Sequence, residues 1–96
     1  MDYDIRYNSA AVKYFKKIKD QKLKSLYLNT INKLQSDPYI GEQKKGDLAG
    51  IYSIDIYYNR TNYELAYRIY EKENKTVVVI LAGTRENFYE QLRRYL

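Results

Sequence analysis

The run "VVVILA" at Val77–Ala82 constrains this chain more than any other feature. It is apolar at every position and too short to cross a bilayer. A strand of that kind carries packed side chains on both faces, whereas a surface strand alternates apolar with polar. A chain of 96 residues supplies one domain, 1–96, with no separate lobe for a substrate. Any site must lie on the surface or in a shallow cleft.

The rest of the sequence supplies the layers around that strand. "YDIRY" at Tyr3–Tyr7 alternates and reads as a short strand. Asn8 or Ser9 then caps a helix with Val12, Phe15 and Ile18 on one stripe and Lys13, Lys16, Lys17 and Lys19 largely off it. Leu23, Tyr27, Ile31 and Leu34 form the stripe of a second helix, which "SDP" at Ser36–Pro38 stops because the residue before proline is pushed away from helix. Tyr39–Gly50 holds three of the four glycines without periodicity and reads as the one long loop.

Beyond the loop come "IYSIDIYY", a turn at "NRTN", "YELAYRIY", a turn at "EKENK" and "TVVVILAG": three strands of an antiparallel meander. From Thr84 a last helix carries Phe88, Leu92 and Tyr95. The order β-α-α-β-β-β-α predicts an α+β fold, with a helix hairpin on one face of a mainly antiparallel sheet and the C-terminal helix at the other, open face.

Composition excludes several chemistries. With neither cysteine nor histidine there is no disulfide framework, no thiolate or imidazole zinc site and no serine–histidine triad. Acid–base work falls to carboxylates, lysines or tyrosines, and no cofactor or metal is expected. The N-terminus lacks the apolar stretch of a signal peptide, so a cytoplasmic protein with no membrane segment is expected. The net charge of +5 favours an anionic partner, and 13 tyrosines against 2 phenylalanines suit a core wall with polar tips or a face for base stacking.

Strand alternation sends Tyr52, Ile54, Ile56 and Tyr58, with Tyr63, Leu65, Tyr67 and Ile69, towards the core. Ser53, Asp55, Glu64 and Arg68 then share the open face, where Asp55 or Glu64 would pair with Arg68 across strands. Arg85 and Tyr89 lie four apart, so a helix starting at Thr84 would set them on one face beside its N-terminus, where an arginine fork and free N–H groups favour phosphate.

Four motifs in order carry a family resemblance over essentially the whole chain. "GDLAGIYSIDI" resembles the pattern L-x-G-x-[WY]-S-x-x-[IV] that opens the second strand of RelE/ParE-superfamily toxins of type II toxin–antitoxin systems. "YELAYRIY" resembles their third strand, "VVVILAG" their apolar fourth, and "GTRENFY" their junction into the C-terminal helix. The resemblance implies a toxin neutralised by a cognate acidic antitoxin in a toxin–antitoxin hetero-oligomer. In the RelE-like branch it implies a metal-independent endoribonuclease cutting messenger RNA in the ribosomal A site and thereby inhibiting translation. In the ParE-like branch it implies a DNA gyrase inhibitor without a nuclease centre, and a non-toxic antitoxin-binding member is a third outcome.

On the RelE-like reading Arg85 contacts the scissile phosphate and Tyr89 stacks on or protonates the substrate. Glu42 falls where the YoeB-like subgroup keeps a glutamate. Ser53 and Asp55 stand where RelE has lysines, and Glu64 replaces the arginine of the third strand. The base is then Glu64, Glu42 or Asp55, and Lys44, Lys45, Arg60, Arg68, Arg93 and Arg94 are candidate RNA contacts.

Overall fold

The computed structural model describes residues 2–72 and 74–96. Helix α1, Ser9–Lys17, starts where the Asn8 side chain accepts from the Ala11 N–H at 3.1 Å. Helix α2, Gln21–Ser36, is capped by Asp20, whose carboxylate accepts from the N–H groups of Lys22 and Leu23, and it stops ahead of Pro38 as read from the sequence. Leu23, Tyr27, Ile31 and Leu34 are all buried. The stripe on α1 is turned from the expected one: Ala11 is the buried residue, Tyr14, Phe15 and Ile18 pack beside it, and Val12 is exposed. Ile18 itself caps the helix in an extended conformation.

Five strands form one sheet, β1 (Asp4–Tyr7), β2 (Glu42–Gln43), β3 (Tyr52–Tyr58), β4 (Thr61–Tyr70) and β5 (Thr76–Thr84), in the order β1-β5-β4-β3-β2. β1 runs parallel to β5, and the other pairs are antiparallel. The β3–β4 turn places Asn59 and Arg60 at φ 51° and 61°, the paired left-handed residues that match strand twist in a two-residue hairpin. Of the expected "EKENK" turn, Glu73 lies outside the described residues.

The long loop is more ordered than its glycines suggested. It contains one-turn 3-10 helices at Pro38–Ile40 and Gly46–Leu48 with β2 between them. Gly41 is required there: a Cβ would lie 2.3 Å from the Tyr67 hydroxyl and 2.8 Å from the Ser53 carbonyl. The Tyr67 hydroxyl donates to the Pro38 carbonyl at 2.7 Å and receives the Gly41 N–H at 3.2 Å, which ties the loop to the centre of β4.

β5 is buried on both faces, as its composition requires. Leu81 opposes Ala66 while Val79 opposes Tyr67, so Ile80 is the extra residue of a β-bulge. Val77, Val79 and Ala82 join the core beneath the helix hairpin, whereas Ile80 and Leu81 join a second cluster with Leu48, Ile51, Ala66, Phe88 and Leu92. That second cluster seats helix α3, Phe88–Arg93.

α3 begins four residues later than the sequence suggested. Thr84 continues β5 opposite Tyr63, and Asn87 turns the chain at φ 58°. Arg85 therefore precedes the helix and does not share a helical face with Tyr89. Tyr95, expected on the apolar stripe, lies past the helix end and is exposed.

Candidate active site

Asp55 on β3, Glu64 on β4 and Gly83 on β5 form one cross-strand row. Beside it, Phe88 and Leu92 anchor α3 over the sheet, and this lays Tyr89 across Glu64. Alternation puts Glu64 on the face away from the helix hairpin, as expected. The expectation that this face is open fails at Glu64, whose side chain is 0% exposed. Tyr89 of α3 and Arg85 just ahead of that helix close over it.

Both carboxylate oxygens of Glu64 are engaged. Tyr89 donates its hydroxyl to Oε2 at 2.5 Å, and Arg85 donates Nε to Oε1 at 3.1 Å. The Arg85 guanidinium also reaches Asp55, with Nη2 3.5 Å from Oδ2. Arg85 is itself fixed at the backbone, where its N–H donates to the Asn62 carbonyl at 2.9 Å. The partner of Glu64 and Asp55 is thus Arg85 and not Arg68, which lies about 13 Å along the same strand.

Electrostatics follow from this packing. Burial pushes the Glu64 carboxyl above its ordinary value, and the neighbouring Asp55 carboxylate adds to the rise, against the pull of Tyr89 and Arg85. Burial likewise raises the Tyr89 phenol, reinforced by its bond to Glu64. The Ser53 hydroxyl stands 3.5 Å from the Tyr89 oxygen and acts in the opposite sense.

Lys44 Nζ lies 4.9 Å from the centroid of the Tyr89 ring and pairs with Glu42. Burial works against the Lys44 charge, but Glu42 and Tyr89 outweigh it and raise its proton affinity. A polar cleft of about 230 Å³ opens here, lined by Gly41, Glu42, Lys44, Ser53, Asp55 and Arg85 among others. Glu64 is sealed from this space, and the two groups bound to its carboxylate are Tyr89 and the cleft-lining Arg85. Glu42 stands at the rim with its side chain 73% exposed, touching Lys44 and none of the Glu64 cluster.

The other expected contacts disperse. Lys45 is the next, exposed residue of the loop, Arg60 sits in the β3–β4 turn, and neither lines the cleft. Arg93 is bound to Asp47 at 2.7 Å, clasping α3 to the loop, and Arg94 caps the end of α3. Two members of the arrangement were not legible beforehand: Asp47 as the partner of Arg93, and Tyr67 as anchor of the loop that carries Glu42 and Lys44. Gly41 was the only sequence sign of the latter.

A family model described as the ParE-like toxin of type II bacterial toxin–antitoxin systems matches residues 5–93. The chain belongs to that family. The toxin also resembles solved structures. It is 27% identical to a chain of the RelBE2 toxin–antitoxin complex of Mycobacterium tuberculosis, covering 88% of this chain and 100% of that one at a TM-score of 0.71. It is 22% identical to a mutant of the Escherichia coli toxin RelE in the free state, over 100% of both chains at 0.73. A chain of the intact Escherichia coli RelBE complex matches at 21% identity, over 84% of this chain and 94% of that one, at 0.67. A comparison with curated proteins found no match.

The RelE/ParE-superfamily assignment and the α+β architecture of the toxin both stand on these findings. Among the described residues, no helix is long and apolar enough to cross a membrane, and no group of three or more acidic side chains is arranged to hold a metal ion.

Proposed function

We propose that this toxin inhibits translation by cutting messenger RNA in the ribosomal A site, with Arg85, Tyr89 and Glu64 as its working residues. The observation that carries the reading is the Glu64–Tyr89–Arg85 cluster: a sealed carboxyl of raised proton affinity, reached through a phenol, with a guanidinium alongside at the wall of a polar cleft. RNA cleavage by the adjacent 2′-hydroxyl needs a proton acceptor, a stabiliser for the phosphorane and a proton for the 5′-oxygen. Tyr89 takes the 2′-proton as it passes its own to ionised Glu64, and the same couple run in reverse delivers a proton to the 5′-oxygen. The products are a 2′,3′-cyclic phosphate and a free 5′-hydroxyl, with no metal required.

Arg85, 57% exposed, swings its outer nitrogens to the phosphate while Nε stays on Glu64. Lys44 supplies a second cation at the rim, and Glu42 is an alternative base where the cleft is most exposed. A cognate acidic antitoxin as partner is supported by the +5 charge and by the complexes in which the structural relatives occur. The proposed compartment is the cytoplasm.

Primer-extension mapping after induction tests the reading. Wild type is expected to cut messenger RNA, while Arg85→Ala and Tyr89→Phe each lose on the order of 100-fold or more in rate. Uncut message with wild type, or wild-type cutting by Arg85→Ala, defeats it. A second reading, gyrase inhibition without chemistry, is favoured by one observation: Asp55 and Glu64 together neutralise Arg85. Unchanged supercoiling by gyrase at toxin excess would dispose of that alternative.

A further inference from the structure

We infer that Tyr57 is a stacking platform for an unpaired RNA base immediately beside the cleft, a subsite that rests on the proposed action on RNA. Tyr57 is 68% exposed, more than any other large apolar side chain among the described residues. A ring that large gains nothing by standing in water near the end of a strand, and among the described residues it packs on no other aromatic ring.

Its position gives it a use. On β3 it follows Asp55 by two residues and so shares the face of Ser53, Asp55 and Glu64, about 7 Å from Asp55 along the strand. The intervening Ile56 is buried in the core beneath the helix hairpin, which fixes the alternation. Opposite Tyr57 on β4 is Asn62, exposed, whose carbonyl holds the backbone N–H of Arg85. Tyr57, Asn62 and Arg85 thus form a continuous strip from open sheet to cleft wall. The hairpin turn carrying Arg60 starts two residues past Tyr57, adding a cation on the outer side.

A flat aromatic on an open sheet, a side-chain amide next to it and arginines on either side match what an unstacked nucleotide needs: a π-face, an edge partner and phosphate contacts. Once Arg85 grips the scissile phosphate, the nucleotide beside it falls on Tyr57. Stacking accepts any base, so the subsite adds affinity and register while leaving sequence choice to other contacts.

Binding of short single-stranded oligoribonucleotides to the full chain, followed by fluorescence anisotropy, tests this together with cleavage on programmed ribosomes. Tyr57→Phe keeps the ring, and Tyr57→Thr removes it while keeping a strand-favouring residue at an exposed position. Tyr57→Phe is expected to bind like wild type and Tyr57→Thr about tenfold more weakly. Removing one base from the oligonucleotide should weaken wild type equally and leave Tyr57→Thr indifferent. In cleavage, Tyr57→Thr should raise KM and spare kcat.

Equal binding by Tyr57→Thr and wild type, equal loss in Tyr57→Phe, or no RNA binding by wild type overturns the subsite. If wild type cuts message and Tyr57→Thr binds and cuts as well, the subsite alone is lost. If RNA binding depends on Tyr57 but message stays intact, the nuclease reading alone is lost.

Discussion

The two faces of the sheet are built from the same strands yet solve different problems. Beneath the helix hairpin, Tyr27, Leu34, Ile56, Leu65, Tyr67, Val77 and Val79 form a continuous apolar core, with its polar tips satisfied at backbone carbonyls. Tyr27, wholly buried, donates to the Glu64 carbonyl at 3.2 Å, so the floor of the candidate site is braced from the hairpin side. Beneath α3 the core is smaller, and at its border a carboxylate is sealed with an arginine and a phenol as partners. One face is arranged for stability. The other spends part of that stability to hold a charge where water is excluded, which is the environment that shifts proton affinities and strengthens hydrogen bonds to substrate.

The largest effect that would break this contrast is a cavity on the hairpin side. Leu34→Ala removes a fully buried side chain from the first core and is expected to cost about 2–5 kcal/mol of unfolding free energy, measured by urea titration. A loss below about 1 kcal/mol would mean that the hairpin is not the stabilising layer.

Much of that layer was legible because its signals are local. The cap at Asn8, the stop at Pro38, the stripe of α2 and the doubly buried β5 follow from residues within a few positions of one another. The stripe on α1 was misread because Ala11, small enough for close packing, carries less pattern than Val12. The start of α3 was misread because Thr84 reads as a helix cap while its pairing with Tyr63, 21 residues away, keeps it in the sheet. The site was harder still. Alternation assigned Glu64 to its face, but the side chains bound to it come from α3 and the turn ahead of that helix, 25 and 21 residues distant. No local pattern encodes that convergence: the four-residue spacing singled out Arg85 and Tyr89 on the premise of a shared helix that the structure does not have, and the family resemblance supplied their roles.

Glu64→Gln sharpens the comparison at intermediate size and with the opposite sign. Burial raises the Glu64 proton affinity in the folded chain above its value of about 4.3 when unfolded. A group of that kind contributes stability that is fully present below the unfolded value and is lost as pH rises through the folded one. Glutamine keeps the shape and a hydrogen bond to Tyr89 without the charge. The variant is expected to exceed wild type by about 1 kcal/mol at pH 7.5 and to lose that advantage near pH 4, while message cleavage disappears. Lower stability than wild type at pH 7.5 would mean that Arg85 and Tyr89 more than offset the burial of the charge, and that the second face carries no cost.

The smallest effect is expected at the clasp between α3 and the loop. Arg93 and Asp47 meet at 2.7 Å, but their side chains are 48% and 66% exposed, where water and salt screen the attraction and both chains lose freedom to hold one geometry. α3 is only six residues long and cannot stand as an isolated helix, so what keeps it in place must be Phe88 and Leu92 in the second core. Arg93→Ala should therefore leave the urea midpoint unchanged and Tyr89 still across Glu64, with message cleavage at the wild-type rate. A clear fall in midpoint together with lost cleavage would transfer the anchoring of Tyr89 from apolar packing to the surface pair, and the second face would then be held together by charge throughout.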